Sequence, residues 1–439
     1  MSDETPSTLG RYIRVKHGFA FKGEYFTEKM TSDVLVTPGN FALGGGFQDD
    51  KKKYYDGPVP DGYVLQPGDL VVTMTDLSKA GDTLGYPALI PESVGTRYLH
   101  NQRIGLIEIK DGVEVDKGFL FYRLRADDYR RHILATASGS TVRHTSPGRI
   151  YEFEPALPSI DDQRAIAGVL GALDGKIMQN RRATRVLERL AQAIFRAWFV
   201  DFDAIKAKAS GSISFPSMPQ SVFDRLPSCL VDSGIGPIPE GWEMKPIGDV
   251  VSIKGGATPS TKNSEYWEEG THCWATPRDL SRLSSPVLLD TERRITDAGV
   301  QCISSGLLPP GSVLMSSRAP VGYLAIAGVP TAINQGFIAM VCDGPLPPTY
   351  IWQWAYASMD AIHARASGTT FPEISKKNFR PLPVVVPPPD VVAAFQSLVD
   401  PLLELLTATI KEDGVLASMR DYLLPRLLSR SVRVERANG

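Results

Sequence analysis

Hydrophobic positions follow two different periods along this chain. Short apolar runs bounded by glycine and proline predict β-strands, and an amphipathic stretch at residues 350–365 predicts a helix. The strands are expected at residues 33–37, 69–75, 102–109, 312–316 and 337–341. Strands and short helices mixed in this way indicate globular regions of mixed α/β structure.

Two long segments instead show the three–four spacing of a heptad seam. The first seam consists of Ile166, Leu170, Leu173, Ile177, Leu187, Ile194 and Trp198, and the second of Phe395, Val399, Leu402, Leu406, Leu416, Leu423 and Leu427. Polar residues interrupt both seams at matching positions, namely Asn180 and Thr184 in the first and Thr409 and Asp413 in the second. We predict two helices of roughly forty residues, about 60 Å long, which pair as an antiparallel coiled coil. Packing of each helix on its own globular region is the alternative.

Local signals place the helix starts and one weak point. Ser159 and Asp162 have the spacing of a capping box, and Pro389 with Asp390 suits a first helical turn. Gly414 lies inside the second helix, where glycine costs about 1 kcal/mol relative to alanine. We therefore expect any break in that helix at Gly414.

The chain also contains an internal repeat. Segments of the first half recur in the second half in the same order, which is typical of a duplicated supersecondary unit. The matching pairs are Lys16 and Gly18 with Lys254 and Gly256, Thr37-Pro38 with Thr276-Pro277, Asn101-Gln102 with Asn334-Gln335, and Ser138–Thr141 with Ser367–Thr370. The chain is therefore expected to be a globular region followed by a long helix, built twice with pseudo-two-fold symmetry.

Composition adds three constraints. The net charge of −2 is low for a protein that binds DNA alone, so a DNA interface would be shared with partner subunits. The four cysteines have neither metal-ligand nor disulfide-framework spacing, which favours a reducing cytoplasm and no metal site. The polar N-terminus and the lack of a long apolar run favour a protein without a membrane span.

Motifs for catalysis do not appear in the sequence. There is no GxxxxGK[ST] loop, and the glycines at 44–46 lack the spacing of a dinucleotide-binding fingerprint. The prolines at 387–389 are not preceded by the Asn or Asp that resembles an amino-methyltransferase motif. A nuclease within a globular region is the alternative, which metal-dependent cleavage by the purified chain would reveal.

Several of these segments resemble one family. The runs at 195–203, 238–242, 254–260, 332–337 and 423–428 are similar to segments of type I restriction–modification specificity subunits. The resemblance extends over nearly the whole chain, in the order recognition domain, helix, recognition domain, helix. The first half departs from the pattern, because it lacks the Pro-Glu-Gly-Trp sequence found at 239–242.

The resemblance implies an α+β architecture. Two mixed α/β target-recognition domains would be separated by two long helices forming an antiparallel coiled coil. The implied boundaries are 1–158 for the first recognition domain, 159–203 for the first helix, 204–236 for a linker, 237–387 for the second recognition domain, 388–428 for the second helix and 429–439 for a tail.

The resemblance also implies a function and partners. The chain would read a bipartite, asymmetric site in double-stranded DNA and dock two methyltransferase subunits and the restriction/translocase subunits. S-adenosylmethionine would bind to the methyltransferase, which flips and methylates a base, typically adenine. The chain itself would hold no catalytic residue, cofactor or metal. The alternative is a duplicated coiled-coil scaffold that binds proteins and does not recognise a DNA sequence.

Candidate DNA contacts are side chains that can hydrogen-bond phosphates or base edges. Lysines, arginines and hydroxyl-rich loops suit phosphates, whereas asparagine and glutamine can read adenine. Tight turns, capped turns, solvated loops and amides that satisfy backbone groups are the structural alternatives. The first-half candidates are Lys16, Phe19, Lys22, Thr37, Asn40, Asn101, Gln102, Ser140, Thr141, Arg143 and His144. The second-half candidates are Lys254, Thr258, Ser260, Lys262, Thr276, Arg278, Ser317, Arg318, Asn334, Gln335, Thr369, Thr370, Lys376 and Lys377.

The apolar helix ends are candidates for partner docking. Trp198 and Phe199 end the first helix, and Leu427 and Leu428 end the second. Packing of these side chains against the globular regions is the alternative.

Overall fold

A computed structural model describes residues 7–49, 51–368 and 372–434. The chain forms two compact units, one of residues 1–176 with 415–439 and the other of residues 177–414. Both long helices continue through these boundaries. Each unit therefore contains one globular head and part of both helices.

The elements of the first half are eleven strands and four α-helices within the described residues. The strands are β1 (Ile13–His17), β2 (Phe26–Thr27), β3 (Asp33–Val36), β4 (Tyr54–Tyr55), β5 (Val64–Leu65), β6 (Leu70–Thr73), β7 (Thr75–Asp76), β8 (Pro87–Leu89), β9 (Arg97–His100), β10 (Ile104–Ile109) and β11 (Arg143–His144). The helices are α1 (Lys117–Arg123), α2 (Asp127–Thr136), α3 (Pro147–Tyr151) and α4 (Ile160–Phe199).

The described part of the second half holds twelve strands and eight α-helices. The strands are β12 (Leu230–Val231), β13 (Ile238–Pro239), β14 (Glu243–Pro246), β15 (Ser252–Lys254), β16 (His272–Ala275), β17 (Val287–Leu288), β18 (Arg293–Ile295), β19 (Val313–Ser317), β20 (Val321–Ala327), β21 (Thr331–Ile333), β22 (Phe337–Val341) and β23 (Pro383–Val386). The helices are α5 (Asp203–Ala209), α6 (Gln220–Phe223), α7 (Pro277–Arg282), α8 (Asp297–Gln301), α9 (Pro348–Ala357), α10 (Met359–Ala364), α11 (Lys376–Phe379) and α12 (Pro389–Leu428).

All five predicted strands are present. The predicted helix at 350–365 is divided, because α9 ends at Ala357 and α10 begins at Met359.

The two heads contain equivalent pairs of sheets that differ in strand number. One sheet has the order β1-β10-β6-β8 in the first head, where all pairs are antiparallel. Its counterpart in the second head has the order β15-β22-β19-β20-β17, which is antiparallel except for the parallel pairing of the extra edge strand β17 with β20. A second sheet contains a parallel pair, β3 with β9 in the first head and β16 with β21 in the second. The architecture of mixed α/β heads and long helices confirms the predicted fold class.

The strand registers also repeat. Lys16 pairs with Leu106 in the first head, and their sequence counterparts, Lys254 and Ala339, pair in the second. Within the parallel pairs, Leu35 lies opposite Leu99, as Trp274 lies opposite Ala332. The internal repeat is thus a repeat of the fold and not only of short sequence matches.

The two long helices pair with each other in the second unit. Asn180 on α4 donates hydrogen bonds of 2.8 Å to both Glu412 and Asp413 on α12. Nearer the other end of that unit, the rings of Trp198 and Phe199 contact Phe395. Since residues late in α4 meet residues early in α12, the helices are antiparallel. The two polar seam positions, Asn180 and Asp413, face each other.

A polar cluster joins the helices to the head in the first unit. The Asp174 carboxylate on α4 accepts hydrogen bonds from Arg420 on α12 at 2.8 Å, Arg125 at 3.0 Å and Tyr122 at 2.9 Å. Burial alone would raise the pKa of Asp174, but the two guanidinium groups outweigh it and hold the pKa below its usual value. The charged carboxylate therefore ties α4, α12 and the segment at the end of α1 together.

Both long helices start where the local sequence signals predict, but the second helix has no break at Gly414. The backbone N–H of Asp162 donates to Ser159 Oγ at 3.2 Å, as the capping spacing predicts. α12 begins at Pro389 and is continuous through Gly414. The backbone therefore tolerates the glycine without the break that was considered there.

Residues 204–236, assigned to a linker from the sequence, are packed onto the second unit. Lys208 on α5 donates to the carbonyl oxygens of Asp224 and Leu226 at 2.6 Å each. Ile205 and Phe223 are buried in the core of this unit. This segment is therefore a structural part of the second unit, because its apolar residues need the core that the head provides.

By length and composition alone, α12 could cross a membrane. Its apolar side chains have another explanation, since Val391, Val392, Phe395 and Val399 are buried in the core of the second unit. The sequence expectation concerned a long uninterrupted apolar run, and Asp400 and Glu404 interrupt the apolar residues of this helix. Packing against protein accounts for the composition of the helix at these positions.

Candidate nucleic-acid interface

Each head has polar loops at the carboxyl ends of its two parallel strands. Because parallel strands end at the same sheet edge, the segments that follow them are neighbours. In the first head, Thr37 follows β3 and Asn101 follows β9; in the second, Thr276 follows β16 and Asn334 follows β21. The structure thus brings together two of the predicted contact segments in each head.

The turns that begin with Thr37 and Thr276 are closed by reciprocal capping boxes. Asn40 Oδ1 accepts from the Thr37 N–H at 2.9 Å, and Asp279 Oδ2 accepts from the Thr276 N–H at 2.8 Å. Asn40 is buried, and its amide also donates to two backbone carbonyl oxygens. The assignment of Asn40 to DNA contact is therefore wrong, because all its hydrogen-bonding groups are used inside the head.

The loops at Asn101 and Asn334 are closed by the asparagine side chains. Asn101 Oδ1 accepts from the Arg103 N–H at 3.2 Å, and Asn334 Oδ1 accepts from the Gly336 N–H at 2.8 Å. Reading adenine with both amide groups needs this oxygen as an acceptor. We therefore interpret both asparagines as turn formers whose NH₂ groups remain as donors.

Gly18 and Gly256 allow another segment to approach the asparagine loop closely. A Cβ atom at Gly18 would lie 2.1 Å from the Asn101 carbonyl oxygen, and one at Gly256 would lie 1.8 Å from the Ile333 carbonyl oxygen. Neither glycine has a positive φ. Close backbone contact, and not turn geometry, requires glycine here. The neighbouring glutamines differ, since Gln335 accepts from Thr258 at 2.6 Å whereas Gln102 is simply exposed.

A hydroxyl-containing loop lies beside the same edge. In the first head Ser138 and His144 exchange two backbone hydrogen bonds, and in the second Ser367 and Glu373 do the same. The loop of the first head presents Ser140 and Thr141 to solvent. Their counterparts, Thr369 and Thr370, lie outside the described residues. Each loop is held to the neighbouring hairpin, with His144 opposite Thr75 and Glu373 opposite Arg318.

We call these loops together the loop edge of each head. It comprises residues 37–40, 74–85, 101–103 and 138–144 in the first head, and residues 276–279, 317–320, 334–336, 367–368 and 372–373 in the second. Backbone hydrogen bonds connect its parts, since the Met74 N–H donates to the Arg103 carbonyl oxygen and the Ser317 N–H donates to that of Gly336. The same edge, with the same internal contacts, is therefore built twice.

The hairpin tip differs between the two loop edges. In the first head, residues 76–85 form a loop in which the Asp76 carboxylate accepts from Ser78 and Thr83. Burial alone would raise the pKa of Asp76, but these hydrogen bonds lower it. Arg130 supports the loop by donating to the carbonyl oxygens of Gly81 and Leu84. The second head has only a tight turn at 318–320, so the two edges present different surfaces.

A pocket of about 420 Å³ opens at the second loop edge. Its lining includes four predicted contact residues, Thr276, Arg278, Arg318 and Asn334. Ser317 was predicted to reach DNA from the same strand, but it is buried within β19. That assignment is wrong, because the strand directs the Ser317 side chain into the head.

The predicted basic residues lie on the surfaces of the heads. In the first head Lys16 donates to the Gly62 carbonyl oxygen at 2.7 Å, Lys22 forms an exposed ion pair with Glu24, and Arg143 donates to the Lys79 carbonyl oxygen. In the second head, Lys254, Lys262, Lys376 and Lys377 are exposed.

Two of the remaining candidates have structural contacts. Phe19 packs against Phe21 and Tyr63, with ring centroids 5.2 and 5.3 Å apart. The Ser260 carbonyl oxygen accepts from the indole of Trp267 at 3.0 Å. Phe19 therefore supports the head and is not an isolated surface ring.

Sequence reasoning missed a basic segment that adjoins the first loop edge. Lys51, Lys52 and Lys53 are exposed, and the Lys51 carbonyl oxygen accepts from the Asn40 amide at 3.1 Å. The three consecutive lysines were a visible signal. Arg103, which follows Gln102 and is exposed, was also missed.

The docking assignment of Trp198, Phe199 and Leu427 is wrong, because all three are buried. Trp198 and Phe199 are buried in the core of the second unit, where Phe199 contacts Trp242 and Tyr350. Leu427 is buried in the core of the first unit, and Leu428 packs against that core. Trp198, Phe199 and Leu427 are hidden because the adjoining heads cover them, whereas Leu428 is only partly buried and its assignment stays a prediction.

Other apolar side chains of the helices are exposed. Val186 and Leu190 lie on α4, and Val415, Met419 and Tyr422 lie on α12. Their spacing of three or four residues places each set on one helix face. Among the described residues, no group of three His, Cys, Asp or Glu side chains could hold a metal ion.

The sequence of this chain is similar to those of known DNA specificity proteins. The sequence model described as "Type I restriction modification DNA specificity domain" matches residues 239–412. The MjaIX type I restriction enzyme specificity subunit of Methanocaldococcus jannaschii is 34% identical over 39% of this chain, and the match spans only 41% of that relative. The HindI type I restriction enzyme specificity subunit of Haemophilus influenzae is 23% identical over 72% of this chain and 77% of its own length.

A solved structure has the same fold. The S subunit of a type I restriction–modification system from M. genitalium superposes with a TM-score of 0.55 at 16% identity, covering 99% of this chain and 96% of that one.

The repeated heads, each with a donor-rich loop edge and part of an antiparallel helix pair, define a duplicated two-headed α/β protein. The chain is similar to type I restriction enzyme specificity subunits, and its residues 239–412 match the specificity-domain model.

Proposed function

We propose that the chain gives a DNA methyltransferase and restriction complex of the cytoplasm its sequence specificity, and that it has no catalytic site or cofactor of its own. Each head binds one half of a bipartite, asymmetric site in double-stranded DNA. Two methyltransferase subunits, which bind S-adenosylmethionine, and the restriction/translocase subunits complete the assembly.

The repeated loop edge is the observation that carries this proposal. Two heads hold equivalent loops with the same backbone contacts, so both can approach a duplex in the same way. Their tips differ, since the first has the supported loop at 76–85 and the second the turn at 318–320. Loop edges with the same backbone contacts but different hairpin tips suit two half-sites of different sequence.

The DNA test is single-molecule sequencing of modified bases. The chain would be expressed with its cognate methyltransferase in a host that lacks DNA methylation, with each protein expressed alone as the control. We expect a split motif that is methylated only when both proteins are present. A soluble complex of the two proteins without any methylated motif would contradict the proposal and favour the protein-binding scaffold.

The exposed helix faces are the docking surfaces for the methyltransferase subunits. Val186 and Leu190 on α4 correspond in the repeat to Val415 and Met419 on α12, and all four are exposed. Duplicated apolar faces suit two copies of one partner, because isolated apolar side chains need no partner but repeated faces at the same position do.

A further inference from the structure

Two arginines line the pocket at the second loop edge. Arg278 comes from α7, and Arg318 comes from the turn after β19. Asn334 adds donors, because its Oδ1 is already bound to the Gly336 N–H and its NH₂ group is left for another acceptor. The pocket therefore suits a ligand that carries several acceptor oxygens and negative charge.

Each pocket arginine has a carboxylate nearby, but at a distance longer than that of a hydrogen-bonded ion pair. Arg278 lies 3.5 Å from Glu292, and Arg318 lies 3.8 Å from Glu373. Hydrogen-bonded ion pairs are shorter, at about 2.7–2.9 Å. Glu292 has such a contact with Arg282, at 2.7 Å. Both pocket guanidinium groups are thus restrained in position while their hydrogen-bonding capacity is left for a ligand.

The first head lacks both arginines at the equivalent positions. Gly39 stands where the second head has Arg278, next to the matching proline of the capped turn. Thr75 stands where the second head has Arg318, opposite His144 instead of Glu373. Arg103 occupies the position of Gly336, so the first edge carries its positive charge elsewhere. The two heads thus share the backbone arrangement of the loop edge but differ in the residues at the pocket positions.

We propose that this pocket holds one backbone phosphate of the half-site bound by the second head. Phosphates protrude from a duplex and can enter a recess, whereas base edges lie in grooves and are reached by protruding side chains. Two guanidinium groups and an amide supply the donors that a phosphodiester needs. The contact fixes the register of the second head on the duplex, and it rests on the proposed DNA-binding function.

The test uses the full chain assembled with its methyltransferase and duplexes with one neutral methylphosphonate at successive positions. At one position in the second half-site, loss of the phosphate charge is expected to weaken binding roughly ten-fold. The double variant R278A/R318A should bind the unmodified duplex roughly ten-fold or more weakly and should no longer respond to that methylphosphonate. Its methylated motif should stay unchanged.

Arg282→Ala is the matched control, because it removes an arginine of the same helix and the same Glu292 partner without removing a group that lines the pocket. It should retain the response to the methylphosphonate. The double variant should also reduce the slope of log K against log salt by about 1 for the lost phosphate contact, and R282A should leave this slope unchanged.

Two results would overturn the phosphate assignment. One is a double variant that keeps the full response at every modified position. The other is a change of the methylated motif at one base pair, which would assign the arginines to a base edge. If the wild-type assembly neither binds DNA nor methylates a motif, the proposed function itself fails. DNA binding and methylation by the wild-type assembly thus separate failure of the phosphate assignment from failure of the proposed function.

Discussion

His100 is buried as a neutral imidazole directly before the Asn101 turn. One ring nitrogen, Nε2, lies 2.9 Å from the Ile104 carbonyl oxygen, to which it donates, and Nδ1 has no partner among the described residues. Burial lowers the pKa of His100 from 6.5 to about 4. The ring therefore stays uncharged in the folded head at neutral pH.

This depressed pKa predicts acid sensitivity of the first head. Below pH 6.5 the unfolded chain binds a proton that folded His100 does not accept, so stability falls as the pH drops towards 4. The loss approaches about 3 kcal/mol by pH 4. Urea unfolding between pH 7 and 4.5 should show a shallower pH dependence in His100→Gln than in the wild type. Equal pH dependence in both proteins would contradict the assignment, and exposed His144→Gln serves as the control.

Gly256 gives a second prediction at this scale. In Gly256→Ala the new methyl group would collide with the Ile333 carbonyl oxygen, which belongs to the backbone and cannot rotate away. We expect a loss of about 1–3 kcal/mol in the free energy of unfolding, together with weaker DNA binding. Gly39→Ala is the control, since its methyl group would meet only Thr37 Oγ1 at an ordinary 3.6 Å. Equal stability of the two variants would show that the loop can move aside.

Residue roles were the least predictable feature. Asn101 and Asn334 were correctly singled out as a repeated pair, but their residue type is equally suited to reading adenine and to closing a turn. Which of these applies depends on the backbone N–H two residues later, and a sequence does not show where that group points. For the same reason, Trp198 was recognisable as apolar but not as covered by the second head.

Elements were predicted more reliably, because burial on a helix follows a simple period. The heptad spacing identified Ile166, Leu170 and Ile177, which are buried, and it also placed Asn180 in the seam. Short strands such as β7 and β11 were not anticipated, since two residues carry no period. Their pairing depends on the loop that brings Thr75 opposite His144.

Gly414 offers a prediction for a whole helix. α12 is continuous through this residue, and a Cβ atom there would meet nothing within 4 Å. Replacing an interior helical glycine by alanine reduces the backbone entropy lost on folding. Gly414→Ala should therefore stabilise the chain by about 1 kcal/mol, measured by urea unfolding. A destabilised variant would indicate that the helix needs the flexibility of glycine at this point.

The duplication connects the sequence to the proposed assembly of the whole molecule. Seam residues on α4 and α12 correspond in order, so the exposed residues between them correspond as well. Val186 and Leu190 are 64% and 45% exposed, and their counterparts Val415 and Met419 are 60% and 48% exposed. These four apolar side chains belong to neither core of the two heads. They suit one contact that the chain makes twice.

This symmetry predicts the stoichiometry of the complex. Val186→Glu with Leu190→Glu should abolish one docking surface, because a buried unpaired carboxylate is costly at an apolar interface. Native mass spectrometry should then show one methyltransferase per chain instead of two. Val415→Glu with Met419→Glu should give the same one-to-one complex, and all four substitutions should give none. Val94→Glu, at an exposed position of the first head, is the control and should still bind two copies. Two bound copies in either double variant would place the docking surface elsewhere on the chain.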